Sequence, residues 1–159
     1  MKFNLLIILI FGISFSSISQ IDPNDIEIVR DSFGVPHIYA KTDAQVAYGL
    51  AWAHAEDDFE TIQYAYLAGN GLLGHYLGKD GIGADFLASF IGSEELYKKK
   101  FNTDISPEYL KVLEGYSAGL NSYAEHNPDE VLSSKLFPVT PKKMMKYGQL
   151  QLFMSSRGD

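Results

Sequence analysis

The chain contains no cysteine among its 159 residues, so disulfide bonds and thiolate metal sites are excluded. Basic residues are scarce as well, since 13 lysines and arginines stand against 20 aspartates and glutamates, for a net charge of −7. A protein that binds nucleic acid needs a basic face for the phosphates, so this composition argues against a nucleic-acid partner. Long apolar runs are also missing, apart from one at the amino terminus.

The amino terminus has the three parts of a secretory signal peptide. Lys2 supplies the positive charge, residues 5–15 form the apolar run, and residues 17–19 (Ser-Ile-Ser) place small side chains where a signal peptidase reads. The run is shorter than the roughly 20 apolar residues of a membrane-spanning helix, although an uncleaved amino-terminal anchor is the alternative. We expect residues 1–19 to be removed. The mature chain from Gln20, with a net charge of −8, is then expected to be periplasmic or secreted, without further membrane contact.

Two short extended runs open the mature chain. Residues 26–30 roughly alternate apolar and polar side chains, as a strand does, and residues 35–39 form a second run. Between them, residues 31–34 (Asp-Ser-Phe-Gly) have the composition of a turn in which Gly34 can take a positive φ. Together these stretches predict a short β-hairpin.

A long helix is predicted next, capped by Thr42 or Asp43. Apolar side chains recur at spacings of three and four as far as Tyr66, which gives the helix one apolar stripe. Small residues dominate its first half, so another backbone is expected to pack closely there. The pattern is long for a globular helix, and we therefore expect a kink near residues 54–57.

Shorter helices follow a glycine-rich stretch at residues 69–83. They are expected at 85–92, at 93–101, and after the cap-plus-proline pairs at 106–107 and 140–141. The fold class is thus α+β, mostly helical with a short amino-terminal β-hairpin. Because the last helical pattern runs almost to Asp159, we expect a truncated part of a longer protein.

Two motifs resemble functional sites, but their sequence context does not support a functional role for either. Residues 69–74 spell GxGxxG, but a dinucleotide-binding loop needs a preceding strand, and a helical pattern precedes this stretch. A glycine-rich helix end is favoured instead. Residues 54–58 (His-Ala-Glu-Asp-Asp) could suggest a metal, yet a helix face does not supply the loop oxygens that calcium prefers. We favour a polar network at the kink and predict no metal site.

Residue chemistry alone reveals no catalytic constellation. Residues 115–119 (Gly-Tyr-Ser-Ala-Gly) spell Gly-x-Ser-x-Gly, but they lie within a helical pattern rather than at the strand-to-helix turn of a nucleophile elbow, and the four histidines have no spacing that implies a triad. On these grounds the interpretation stops at an exported helical domain without a catalytic residue of its own.

A family resemblance extends that interpretation. Residues 28–40 (IVRDSFGVPHIYA) look like the opening signature of the penicillin acylase family, and residues 47–57 (AYGLAWAHAED) follow at the family's spacing. Weaker matches continue in family order, so that the resemblance covers essentially all of residues 26–157. It identifies residues 20–159 as the amino-terminal portion of an acylase α chain.

The resemblance implies an N-terminal-nucleophile hydrolase of αββα fold. Family members are exported precursors that cut themselves into an α chain, a spacer and a β chain that begins with the nucleophilic serine. The serine's own α-amino group acts as the base, and the amide is cleaved through an acyl-serine intermediate. The β chain of the same precursor would then be the partner, and this fragment alone is expected to be inactive. No cofactor is expected in it, although calcium is possible in the full-length protein.

The α chain of the family also contributes side chains to the acyl pocket, from the helix after its Thr-Pro-Lys segment. In this chain that helix is expected at residues 141–156, and the resemblance makes Phe153, Met154 and Arg157 the candidates for substrate binding. Ordinary helix packing of Phe153 and Met154 is the alternative, because pocket walls and core look alike in a sequence.

Departures from the penicillin-specific members bear on the substrate. Asp58 stands where many of them have arginine, and His75 stands where they have glutamate, which suggests a sign-reversed Asp58–His75 pair. The sequence around both positions looks more like the branch that acts on acyl-homoserine lactones or lipopeptides. We expect a hydrolase of linear amides, acting on the N-acyl bond of acyl-homoserine lactones, penicillins or related small compounds. A non-catalytic exported binding or assembly module on the same scaffold is the alternative.

Overall fold

The computed structural model describes residues 21–156, apart from the side chains of Ser93 and Asn102. The predicted signal peptide and Arg157 lie outside the described residues. The elements are β1 (Glu27–Arg30), β2 (Pro36–Tyr39), α1 (Asp43–Gly69), α2 (Leu73–Leu77), α3 (Ile82–Phe90), α4 (Ser93–Asp104), α5 (Pro107–His126) and α6 (Pro141–Ser155). The expected class, mostly helical with a short amino-terminal hairpin, is confirmed. Among residues 21–156, no helix is both long and apolar enough to cross a membrane.

The hairpin turn is fixed by its own aspartate. β1 and β2 pair antiparallel, and between them the Asp31 carboxylate accepts hydrogen bonds from the backbone N–H groups of Phe33 and Val35 at 2.8 and 3.0 Å. These N–H groups favour the charged carboxylate, so the pKa of Asp31 lies below its ordinary value. Gly34 completes the turn with a φ of 83°, a conformation that favours glycine.

The long helix α1 starts and bends through side-chain caps. Thr42 and Gln45 form a capping box at its start. The kink lies at Asp58, one residue beyond the expected stretch, where φ is −162° and ψ is 73°. The Asp58 carboxylate accepts a hydrogen bond from the Thr61 N–H at 3.0 Å, and it therefore caps the second half of the helix.

Helices α1 and α5 pack with their backbones in close contact, as the small residues of α1 predict. A methyl group on Gly115 would collide with the carbonyl of Ala44, and one on Gly119 would collide with the carbonyl of Tyr48. Gly49 leaves room for the hairpin in the same way. The central core that results consists of Ala51, Ala55, Phe59, Tyr66, Leu67, Leu120, Tyr123, Ala124, Leu136 and Val139.

Candidate functional site

Phe153 and Met154, two of the three predicted substrate-binding residues, lie on α6, whose first turns are fixed to the core. The Thr140 hydroxyl caps the helix by accepting a hydrogen bond from the Lys143 N–H at 3.3 Å. Just before the helix, the Asn121 side chain donates to the carbonyl of Val139 at 2.9 Å and accepts from the N–H of the same residue at 2.7 Å. This two-point bond ties the start of α6 to α5.

The middle of α6 lies directly on α1. The backbone of Tyr147 occupies the space that a side chain at Gly69 would need. The Tyr147 ring meets Tyr66 edge to face, with 5.4 Å between the ring centroids, and burial raises the pKa of Tyr66 well above its ordinary value. Asn70 adds a hydrogen bond of 3.0 Å from its side chain to the carbonyl of Lys143. The position of α6 relative to α1 is therefore closely defined.

The last turns of α6 leave this core. Leu150 is 4% exposed, whereas Leu152 is 71% and Met154 is 57% exposed. The Met154 side chain thus has a surface position, which fits a binding contact better than core packing within this part of the chain. Phe153 is half-buried, and its position fits both interpretations.

The two signature stretches of the sequence meet in one charged cluster. Arg30 Nη2 lies 3.1 Å from the Glu56 carboxylate and 2.9 Å from that of Asp57, and Nη1 donates to the carbonyl of Gly34 at 2.9 Å. Trp52 Nε1 donates to the second Glu56 oxygen at 2.9 Å. The hydrogen bonds to Glu56 and then Asp57 raise the pKa of Arg30. Because both carboxylates pair with Arg30, the cluster joins the hairpin to α1. This arrangement agrees with the interpretation of residues 54–58 as part of a polar network near the kink.

The histidines contact different partners, and none contacts a serine hydroxyl in the described part. Their partners are the carboxylate of Asp31 for His37, the hydroxyl of Tyr116 for His54, the ammonium of Lys135 for His75, and the carbonyl of Ser122 for His126. Among residues 21–156, no group of three or more histidines and carboxylates could hold a metal ion.

The suggested Asp58–His75 pair is not supported. Asp58 caps the second half of α1, and the Thr61 backbone N–H is the main cause of its lowered pKa. His75 lies on α2, where its Nδ1 is 3.0 Å from Lys135 Nζ. Each side chain has another partner. The partner of Asp58 is local, whereas the sequence gives no local signal for that of His75, because Lys135 is 60 residues away along the chain.

The GxGxxG stretch forms the junction between α1 and α2 rather than a nucleotide-binding loop. The N–H groups of Leu73 and Gly74, at the start of α2, donate to the two oxygens of the Asp85 carboxylate at 2.7 and 2.9 Å. A bound phosphate would need these same groups. Gly71 takes a φ of 66° where the chain leaves α1. The interpretation as a glycine-rich helix end is confirmed.

The described residues border cavities at two places of interest. One, of about 250 Å³, lies where the hairpin meets α1 and α5, and is bordered by Trp52 and His126. The other, of about 240 Å³, lies between α4 and α6, and we call it the α4–α6 groove. Its walls are Leu96, Tyr97, Phe101, Ile105, Met145 and Gln149, and its rim carries Lys100 and Asp104.

Gln149 is the residue of this groove that the sequence predictions missed. Its Oε1 atom is buried and has no hydrogen-bond partner, alone in this respect among side-chain atoms of the described residues. A visible signal existed, because Met145, Gln149 and Phe153 follow one another at intervals of four and thus share one face of α6. A lone amide on such a face indicates a polar contact within an apolar wall.

Comparisons with known proteins agree with the signature stretches. The family model described as penicillin amidase matches residues 25–156. Penicillin G acylase of Escherichia coli is 26% identical over 156 residues, covering 90% of this chain and 17% of that protein. The acyl-homoserine lactone acylase PvdQ of Pseudomonas savastanoi pv. phaseolicola is 29% identical over 103 residues, covering 60% of this chain and 13% of that protein. The chain therefore spans less than a fifth of the length of these relatives.

A solved structure shows the same fold. The thermostable penicillin G acylase from Alcaligenes faecalis superposes with a TM-score of 0.70 at 21% identity, covering 84% of this chain and 75% of that chain. At this level of identity the likeness concerns the fold, so the described helices and hairpin are arranged as they are in that acylase chain.

Proposed function

Because this chain belongs to the penicillin amidase family, we propose that it is the amino-terminal part of an exported hydrolase that cleaves the amide bond of small N-acyl compounds. The family match across residues 25–156 carries the proposal. Relatives named as a penicillin G acylase and as an acyl-homoserine lactone acylase both support it. Penicillins, acyl-homoserine lactones and related N-acyl amides are accordingly the proposed substrates.

The chemistry is proposed to occur on a segment outside this chain. A serine at the start of a β chain from the same precursor attacks the amide carbonyl, and its α-amino group takes the proton. The amine leaves, and water then releases the acid from the acyl-serine. Within the described residues, no cluster of three or more histidines and carboxylates could hold a metal ion by itself, so a calcium site of the complete protein would need ligands from other segments.

The part played by this chain is to position α6 beside that nucleophile. The hydrogen bonds of Asn121 and the close contact at Gly69 fix the first turns of the helix. We propose that the exposed last turns then offer Met154, together with Phe153 and Arg157, to the acyl group of the substrate. Apolar walls with few polar groups are typical of such ligand pockets.

Expression of the complete gene tests this function. The exported protein should begin at Gln20, should appear as two chains, and should release acid from N-acyl-homoserine lactones or penicillin G. Met154→Ala should lower kcat/KM for the acyl substrate. Leu152→Ala is the matched control. Leu152 is also an apolar, exposed residue of the same helical turn, but it lies two positions earlier and therefore on the other side of the helix.

If the processed protein hydrolyses none of these amides, the proposed hydrolase activity is refuted and the alternative, a non-catalytic binding or assembly module, is favoured. Equal losses in the Leu152 and Met154 variants would remove Met154 from the pocket and leave the hydrolase in place.

A further inference from the structure

The hydrogen-bond pattern of the amino-terminal hairpin shows which of its backbone groups point outward. Next to the turn, the Asp31 N–H donates to the carbonyl of Val35 at 3.1 Å. In an antiparallel pair, residues that exchange backbone hydrogen bonds alternate along each strand with residues that do not. Counted back from Asp31 in the observed register, Ile28 and Arg30 are the residues of β1 that do not bond to β2. Their N–H and C=O groups therefore point away from β2, and we call these groups the β1 edge.

The two edges of the hairpin differ in what they offer to another strand. Among residues 21–156 the sheet has two strands, so no strand of this part of the chain pairs with either edge. On the outer edge of β2, the residues opposite Ile28 and Arg30 are Ile38 and Pro36. Proline has no N–H to donate, and it commonly protects an edge from further pairing. The β1 edge, with an N–H at both positions, is therefore the edge suited to a third strand.

The cavity of about 250 Å³ lies beside the β1 edge. Its border includes three residues on the β1 side of the hairpin and no residue of β2, and it consists of Pro23, Ile26, Ile28, Tyr48, Trp52, Ser122 and His126. The side chain of Ile28 faces α1, 3.7 Å from the position that a methyl group at Gly49 would take. Side chains opposite each other in neighbouring strands share a face and lie about 5 Å apart. A strand on the β1 edge would therefore direct every second side chain toward this cavity.

Together the edge and the cavity identify the occupant as an extended peptide segment. Backbone N–H and C=O groups on a strand edge pair with the backbone of an added strand, while a neighbouring cavity selects its alternate side chains. The cavity is bordered mainly by aliphatic and aromatic residues, so these alternate side chains are expected to be apolar. A small apolar ligand would fill the cavity but would leave the β1 edge without a strand partner.

The remainder of the same precursor is the favoured source of this segment. The chain spans less than a fifth of the length of its relatives, so more than four fifths of such a protein lies outside it. A segment that belongs to the same polypeptide during folding is present at a high effective concentration. A second copy of this chain would instead lose translational and rotational freedom on binding.

We propose that the β1 edge and the adjoining cavity form a docking site for one extended strand from a segment of the same precursor outside this chain, with an apolar residue at every second position. Docking extends the hairpin to a three-stranded sheet. Since Arg30 already joins the hairpin to α1, the added strand connects α1 to the rest of the protein. The inference uses the longer precursor of the proposed function and does not depend on amide hydrolysis.

Site-resolved hydrogen exchange of the complete processed protein tests the docking. The amides of Ile28 and Arg30 should exchange at least about 100-fold more slowly than that of Ile38, because paired strand amides open at up to the cost of global unfolding and unpaired ones at almost none. Ile38 is the matched control, since it lies on the other edge of the same hairpin. Equal rates at all three amides, fast or slow, would overturn the proposal. Slow exchange that is lost on dilution would identify a second copy as the occupant and would overturn it as well.

Ser122→Phe tests the cavity, because Ser122 borders it and a phenyl group would take up part of its volume. Exchange at Ile28 and Arg30 should then rise to the rate of Ile38. Ser89→Phe is the matched control, since Ser89 is exposed on α3 and does not border the cavity, and it should leave the slow exchange unchanged. Slow exchange that persists in Ser122→Phe would overturn the role of the cavity.

Thermal unfolding of both variants checks that they fold, and the wild-type exchange rates decide the proposal even where a variant does not. Amide hydrolysis is assayed on the same wild-type preparation. Slow exchange at Ile28 and Arg30 in a protein that hydrolyses no amide would refute the proposed function and support the docking site. Hydrolysis in a protein with equal exchange at both edges would refute the docking site alone.

Discussion

Two helix pairs in this molecule are built in opposite ways. In α1–α5, glycines bring the backbones into contact, with Gly115 against Ala44 and Gly119 against Tyr48. In α4–α6, long side chains join the helices at one end, and a groove remains between them. Close backbone packing leaves no space for a ligand, whereas the second pair leaves space and an unpaired polar atom. The first pair therefore forms a tightly packed support, whereas the second leaves an open groove.

The largest expected effect comes from filling the tight contact. Gly115→Ala would push a methyl group into the carbonyl of Ala44, and a backbone atom cannot move aside as a flexible side chain can. We expect a loss of about 3 kcal/mol in the free energy of unfolding, since overpacking a dense interior costs about 1–3 kcal/mol and occasionally more. Urea titration of the wild type and the variant measures it. An unchanged midpoint would show that α1 and α5 are further apart.

Sequence alone predicts those parts of the fold that depend on local chemistry. The turn at Asp31 and Gly34 and the cap-plus-proline starts at Ser106 and Thr140 are all confirmed, because each involves side chains bonding to backbone within a few residues. The small residues of α1 also predict a close neighbour correctly. They do not say which helix it is, since that depends on the glycines of α5.

Long-range partners account for what the sequence does not reveal. Asp85 caps α2 from 11 and 12 residues away, and the groove between α4 and α6 joins residues some 50 positions apart. Periodicity describes one helix at a time and contains no information on which faces meet. The assignment of Phe153 and Met154 to substrate binding comes from family resemblance and stays a prediction, because periodicity does not separate a pocket wall from a core.

The next largest effect concerns the anchor between α5 and α6. Asn121→Ala removes both hydrogen bonds to Val139 and leaves a partly buried N–H and carbonyl without partners. We expect a loss of about 1–3 kcal/mol, and a drop in acylase activity as α6 loses its fixed start. Both are measured on the same preparation, by urea titration and by kcat/KM. Asn24→Ala is the control, because within residues 21–156 the hydrogen bonds of Asn24 go to Asp22 alone, at the exposed amino-terminal turn. An effect no larger than the control's would mean that α6 is positioned by its apolar contacts alone.

Adding a methyl group on the open pair should have the opposite sign. Within the described residues, nothing lies within 4 Å of a methyl group placed at Gly148 on α6. Gly148→Ala should therefore stabilise the protein by up to about 1 kcal/mol, because alanine loses less backbone entropy in a helix than glycine does. Urea titration of Gly148→Ala and Gly115→Ala in parallel compares the same glycine-to-alanine change in the two helix pairs. Destabilisation at Gly148 would show that another segment of the complete protein packs closely on this face.

The smallest expected effect lies at the closed end of the groove. The hydrogen bond from Lys142, helped by the charge of Lys146, lowers the pKa of Glu94 from 4.5 to about 2. A carboxyl whose pKa is lower in the folded state stabilises the fold above its unfolded pKa and loses that contribution as the pH falls toward the folded value. Wild type and Glu94→Gln should thus differ most above about pH 4.5 and converge near pH 2. Because the Glu94 side chain is 41% exposed, we expect the difference at neutral pH to stay below about 1 kcal/mol.

Glu95→Gln provides the matched comparison, since Glu95 is the neighbouring exposed glutamate and forms no ion pair within the described residues. Urea titrations across the pH range should separate the two variants only where Glu94 is charged. A Glu94 variant that follows the Glu95 variant at every pH would mean that the ion pairs do not hold α4 against α6. The apolar contacts between the two helices would then be what holds α4 against α6.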